Sequence, residues 1–330
     1  MQKVFRSMFC NKKKTNNQRN KMYQKSSFIR FDQTGNIDHD YQSLSDSITT
    51  LPTLRSNIVE LVQSVEETFR TNIPVFVESI RKDQSLVANV LKVARASSFA
   101  RMVRVDTIHD AIQLLGLEKV RDIALTSSFL SNFLDRDPYK NGFDWKAFWR
   151  HSNTVGVIAS SLSKHLGKLD HERYYTAGLL HDMGKMGAFC LDEEKMLLVA
   201  QVARKHRLSF LEAELMTQAP RHDRLGEAIC RNWNLPEYLR AVCRYHHTYS
   251  RKLRPFPQND PLNDYIDIVI LSNHLANKLK IGYSGHSSVD EPIERILASL
   301  SLSQERIEEM TPLILAEIEP SSVLDDLLSA

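Results

Sequence analysis

At 330 residues, with 42% apolar and 25% charged residues, the chain has ordinary globular composition and can bury one large core or two smaller ones. No apolar run approaches the ~18 residues of a membrane helix, and the basic N-terminus has no secretory apolar segment, so neither a spanning nor a secreted protein is expected. Four scattered cysteines (Cys10, Cys190, Cys230, Cys243) form no CxxC and suit a reducing, cytoplasmic compartment with the thiols in the core.

The formal charge of +3 hides an asymmetry. Residues 1–31 hold nine Lys/Arg and no Asp or Glu, while the rest carries 34 basic against 40 acidic side chains. The basic character belongs to a tail, over residues 1–42, whose stretch NKKKTNNQRNKMYQKSS is polar and reads as disordered. A nucleic-acid or anionic-lipid arm is one use of such a tail. A solvated segment is the reading adopted, and nucleic acid is not expected as a partner.

From about Tyr41 onward helix signals dominate. QSLVANVLKVARA (84–96) sets Leu86, Val87, Val90, Leu91 and Ala94 on one stripe of a 3.6-residue period. DTIHDAIQLLGLEKVRDIALTSSFL (106–130) reads as two helices broken at Gly116, with Asp106 or Thr107 as N-cap. Its outline is that of a helix-turn-helix, but Glu118, Lys119, Arg121 and Asp122 balance in charge, so a packed hairpin is expected rather than a reader of phosphates. Helices follow over 145–167, stopping at Gly167, and over 171–185, stopping at Gly184 and Gly187. More follow over 193–206, 209–219, 223–233 and 236–247, the last opening on Pro236. RKLRPFPQNDPLND (251–264) is a loop, 264–280 the last strong helix, and 291–300, 303–318 and 320–329 short amphipathic ones. No strand pair and no repeat is read, so the expected class is all-α.

Twelve histidines are present, and a subset arrives one helix at a time beside apolar residues: His151, His181, His222 and the pair His246–His247. Side chains on separate helices of a bundle meet only where the helices converge, and bundle cores build metal sites that way. Asp182 lies in the apolar run GLLHDMGK, where an ionised carboxylate needs a partner, and a cation would supply it. Imidazole with carboxylate suits Fe, Mn or Zn, and one or two such divalent ions are expected. Lys185 then has two readings: a contact to a phosphate oxygen, or compensation of a helix C-terminus.

The order His151, His181–Asp182, His222, His246–His247 resembles the HD superfamily of metal-dependent phosphohydrolases. The stretches at 73–98, 107–125, 148–164, 175–186, 208–214 and 230–247 are together similar to the HDOD domain, the HD-related output domain of bacterial signalling proteins. The resemblance implies an HD-type multi-helix bundle, one large domain or two lobes, over 43–285, with the helices of 286–330 packed on it. It implies a regulatory or signalling protein with a protein partner, or else a working phosphohydrolase on a nucleotide or other phosphoester, in which Asp182 and Lys185 would be catalytic. It also implies a further ligand where Asn273 stands in place of aspartate, which offers an oxygen but no charge. Related cyclic di-GMP phosphodiesterases carry Gly-Tyr-Pro after the paired histidines; here HHTYSRKLRPFP follows, which disfavours that substrate. Arg95–Ala96 replaces the usual Asn-Ser pair.

Overall fold

The computed structural model describes residues 29–31, 37–48, 105–117, 119–120, 123–124, 143–286 and 293–318, together with helical positions 77, 80, 87, 90, 91 and 94. The basic stretch 1–28, the Arg95–Ala96 pair and the helix expected at 320–329 lie outside them.

The chain enters through β1 (Ile29–Phe31) and β2 (Ile37–His39), an antiparallel pair with Arg30 opposite Asp38. The sequence reading found no strand pair, because three-residue strands show too little alternation to register. They lie, with the start of α1 (Tyr41–Ile48), inside the stretch read as a tail.

Every other described element is helical. α2 (Ile108–Leu115) starts at a reciprocal Thr107–Asp110 capping box and stops at Gly116, whose φ of 86° only glycine adopts readily. Beyond the break Val120, Ile123 and Ala124 are wholly buried, as the packed hairpin requires. Asp144 caps α3 (Trp145–His165), the long helix at the centre of the molecule, which packs along α4 (His171–Leu180). α5 (Met183–Leu191) and α6 (Glu193–His206) follow, then α7 (Phe210–Thr217), opened by a Ser209–Glu212 capping box. α8 (His222–Asn232) and α9 (Glu237–Tyr245) complete the cluster. After a loop through Arg251–Leu253, α10 (Pro261–Lys278) returns across α3 and α4. α11 (Glu294–Ser299) packs on α10, and α12 (Gln304–Ile318) on α3, where Ser161 Oγ donates to Glu317 Oε1 at 3.0 Å.

One expected helix is two. The sequence reading ran a helix through 171–185 and stopped it at Gly184 and Gly187; the structure ends α4 at Leu180, turns at His181–Asp182, and starts α5 at Met183. The glycines are therefore inside α5 rather than at a stop. Their role is close approach. A Cβ on Gly184 would collide with the backbone carbonyl of His222, and one on Gly187 would meet Ile229 Cδ1 at 2.6 Å. On the other side of the centre a Cβ on Gly178 would lie 2.7 Å from Gly156 Cα. Glycine pairs thus bring α4 onto α3 and α5 onto α8 at backbone contact.

Candidate metal centre

The break between α4 and α5 is what makes the centre. Neighbouring residues on a continuous helix point ~100° apart. With α4 closed at Leu180, His181 and Asp182 instead occupy a turn and aim inward together: His181 Nε2 lies 3.3 Å from Asp182 Oδ2. Asp182 Oδ1 lies 3.4 Å from His222 Nε2 and 3.5 Å from His246 Nε2. His222 Nε2 in turn is 3.3 Å from His246 Nε2 and 2.9 Å from His247 Nε2. His151, on α3, lies beside His181 with ring centroids 5.8 Å apart and planes tilted by 55°. Two groups of ligand atoms result, each within 4.8 Å: Asp182 with His222, His246 and His247, and Asp182 with His151 and His181. Every member is buried except His247, which is partly exposed.

The far nitrogens of these rings are already bonded. His181 Nδ1 sits 2.7 Å from the Gly178 carbonyl, and His246 Nδ1 3.0 Å from that of Cys243. A carbonyl only accepts, so in both rings Nδ1 carries the proton, and the neutral ring then presents a bare lone pair at Nε2. His222 Nδ1 is 2.8 Å from Glu214 Oε2, and the His222 backbone N–H donates to the same carboxyl. Burial pushes the Glu214 carboxyl well above the usual carboxylate range, against the His222 N–H that favours its charge, and the contact at Nδ1 fixes the ring as partners of metal-ligating imidazoles do. The Nε2 atoms of His246 and His247 both lie within hydrogen-bond distance of His222 Nε2, an arrangement of ring nitrogens that a cation among them would stabilise. Meanwhile His181 Nε2, Asp182 Oδ1 and both nitrogens of His151 are buried without a hydrogen-bond partner. Buried polar atoms are seldom left unpaired. The donor set is nitrogen-rich with one carboxylate, the chemistry of Zn, Fe and Mn sites, so the residues present fit a divalent transition metal.

The protonation states agree. Burial, then the neighbouring His181, holds His151 well below the ordinary imidazole range; burial and Lys185 do so for His222, and burial and His246 for His247. All three are neutral near pH 7. Burial works against the charge on Asp182, but His181 and the Lys185 ammonium outweigh it and hold the carboxyl well below the usual range.

Lys185 is not at a helix C-terminus, as one reading of the sequence had it. It lies in the first turn of α5, fully buried, where its cation opposes the helix dipole. Asp182 Oδ2 at 2.6 Å and the Ser284 carbonyl at 2.9 Å compensate it, and the Phe210 ring centroid lies 4.7 Å away. The loop 281–286, on which the sequence reading placed no site residue, therefore reaches the centre. Tyr283 N–H donates to Ala147 O at 2.8 Å, and Gly282, at φ 75°, runs so close to the His151 backbone that no side chain fits. His286, held down to about 3 by burial and then Lys185, bonds Ser284 Oγ through Nδ1 at 3.1 Å. Asn273, the further ligand implied by the resemblance, is buried on α10, and its Oδ1 accepts from Asn277 Nδ2 at 3.1 Å.

Two residues of this constellation escaped the sequence reading, Glu214 and His286. Glu214 had a signal in the sequence, a carboxylate between Ala213 and Leu215 at the end of LSFLEAE. His286 had none, since only the return of the loop across α3 brings it in.

Comparison with known proteins places the fold. A curated uncharacterised protein of Treponema pallidum (strain Nichols) is 23% identical over 206 residues, which is 62% of this chain and 39% of that one. The chain thus matches about two fifths of that relative's length. A crystal structure of an HDOD domain protein of unknown function from Geobacter sulfurreducens superposes with a TM-score of 0.64 at 21% identity, covering 86% of this chain and 97% of the other. A Shewanella amazonensis SB2B protein, described provisionally as a phosphohydrolase, gives 0.58 at 18% identity over 84% and 97%. A Marinobacter aquaeolei VT8 protein, described provisionally as a signal transduction protein, gives 0.64 at 18% over 95% and 65%. These likenesses establish a shared helical fold. The sequence model of the HDOD domain matches residues 51–249, a span that contains all five converging histidines and Asp182, and the chain belongs to the HDOD family.

Proposed function

We propose that the chain is a regulatory HDOD protein of a signalling pathway whose buried cluster binds a divalent transition metal (Fe, Mn or Zn) and whose output is contact with a protein partner. The observation that carries the metal is the convergence of the Nε2 atoms of His222, His246 and His247 at 2.9–3.3 Å, with the far nitrogens of His222 and His246 already bonded. Asp182, His151 and His181 complete the donor set, and Asn273 would add at most a neutral oxygen. The regulatory reading is supported by closure: His247 alone of the six ligand residues reaches solvent, so little of the centre is open to a substrate. The Marinobacter aquaeolei neighbour, described provisionally as a signal transduction protein, points the same way. No helix among the described residues is long and apolar enough to cross a membrane.

Elemental analysis of protein purified without chelator is expected to find bound transition metal, and Asp182→Ala and His222→Ala are expected to lose most of it. Wild-type protein with no metal, even after incubation with Mn(II), Fe(II) or Zn(II), would refute the reading.

A second reading, a phosphohydrolase acting on a nucleotide or other phosphoester, is favoured by the five histidines and Asp182 retained in the cluster and by the lysine held at Asp182. A bound ion would polarise a phosphoryl oxygen and make a bound water more acidic. Asp182 would position the ion, and Lys185, with bonds to Asp182 and Ser284 in place, would neutralise charge beside it. Metal-dependent turnover on a panel of phosphoesters, abolished in Asp182→Ala, would establish this reading; absence of turnover in metal-loaded protein leaves the regulatory one.

A further inference from the structure

We infer that the core carries a separate sulfur site, built to take a soft monovalent ion of the Cu(I) class, from Cys230 on α8, Cys243 on α9 and Met183 at the start of α5. Cys230 Sγ lies 3.6 Å from Met183 Sδ and 3.7 Å from Cys243 Sγ. Both cysteines are free thiols. Cys230, Met183 and Cys243 are 0, 4 and 1% exposed, so an ion among them would be shut off from water. None of the three belongs to the two groups of imidazole and carboxylate ligand atoms described above.

Donor type, size and charge select the ion. Thiolate with thioether sulfur is a soft donor set, the kind that selects Cu(I). A metal–thiolate bond is ~2.3 Å long for zinc, and three sulfurs at that distance round one ion stand ~4 Å apart. The two separations here are a few tenths of an ångström shorter, so the sulfurs need part only slightly. A disulfide would instead require Cys230 Sγ and Cys243 Sγ to close to ~2.05 Å. All three side chains belong to the apolar core, where a net charge is costly. Binding breaks the Cys230 S–H bond, forms a sulfur–copper bond and passes one proton to solvent. One thiolate and one monovalent cation then leave the site neutral, and no oxidation state changes. Cys243 keeps its hydrogen on the Leu180 carbonyl, 3.5 Å away, and offers a sulfur lone pair. A dication would leave positive charge in the same place, and a structural zinc would lack its fourth ligand.

The test uses full-length protein in which Cys10→Ser and Cys190→Ser leave the buried pair as its thiols. It is titrated anaerobically with Cu(I) against a chromophoric Cu(I) chelator such as bicinchoninate. One equivalent is expected to pass from the chelator to the protein, and X-ray absorption at the copper edge is expected to show a sulfur-only first shell. Added to that background, Cys230→Ala is expected to take no copper, and the volume-conserving Met183→Leu to yield it to the chelator. His222→Gln, which damages the imidazole centre, is expected to keep it. No copper taken by the starting protein, nitrogen in the first shell, a folded Cys230→Ala protein that still takes one equivalent, or loss of copper from folded His222→Gln protein would each overturn the site. If the core variants do not fold, the first shell of the starting protein decides.

Discussion

Glu214 shows how much of a candidate metal site lies one bond away from its donor atoms. It touches no converging lone pair, yet it holds His222 by both Nδ1 and the backbone N–H. Removing it frees the ring to rotate and to change tautomer, so Glu214→Ala is expected to weaken Mn(II) or Zn(II) binding by about 10–100-fold without removing any ligand. Titration calorimetry measures this, and unchanged affinity would show that His222 needs no second support. Residue identity was legible where a motif carried it: His151, His181, Asp182, His222, His246 and His247 were all named from spacing and order, and the structure gathers all six. Lys185 was legible as a charged residue in the right place but not in its role. Whether a lysine caps a helix end or neutralises a buried aspartate depends on where the helix begins, and the one-residue detail of helix ends is weakly encoded.

At the scale of elements, the turn between α4 and α5 and the two glycine contacts are what convert six scattered side chains into a cluster. Gly184 is packed against the His222 carbonyl and lies 2.7 Å, measured from an added Cβ, from Gly226 N. The obstacle is backbone on both sides and cannot rotate away. Gly184→Ala is therefore expected to cost at the upper end of overpacking, ~3 kcal/mol or more, and to lower metal affinity by moving α8 from α5. Urea denaturation would measure the first effect; a loss below ~1 kcal/mol would mean that the helices part easily. Helix existence and bounds were read well where a stripe ran between a cap and a glycine, as in α3, and also in α6, which an aspartate caps and which ends at Arg207 in the left-handed region. The reading failed at 181–182 because His and Asp are unremarkable in helices, and the sequence there holds no Pro and no early Gly to mark the break.

For the whole molecule the consequence is acid sensitivity. His151, His222, His247 and His286 are all held below their ordinary pKa, chiefly by burial. The unfolded chain binds protons on these rings below about pH 6.5, while the folded chain resists them until far lower, to about 3 for His286. The unfolded state thus binds more protons in that window, so stability of the metal-free protein is present above pH ~6.5 and falls as pH drops through it, by up to about 1.4 kcal/mol per pH unit for each such ring. Thermal unfolding of metal-free protein from pH 7.5 to 4.5 checks this, and a melting temperature independent of pH across that range would contradict it. Sequence alone determined the helical class, the family, the ligand order and the apolar stripes, because each follows from local period and from residue types at fixed separation. Tertiary structure decided which ring nitrogens face the centre, that the loop 281–286 comes back to Lys185, and that Lys185 bonds one Asp182 oxygen and leaves the other without a hydrogen-bond partner. Those facts depend on helices meeting at backbone contact across tens of residues, a distance over which local pattern carries no information.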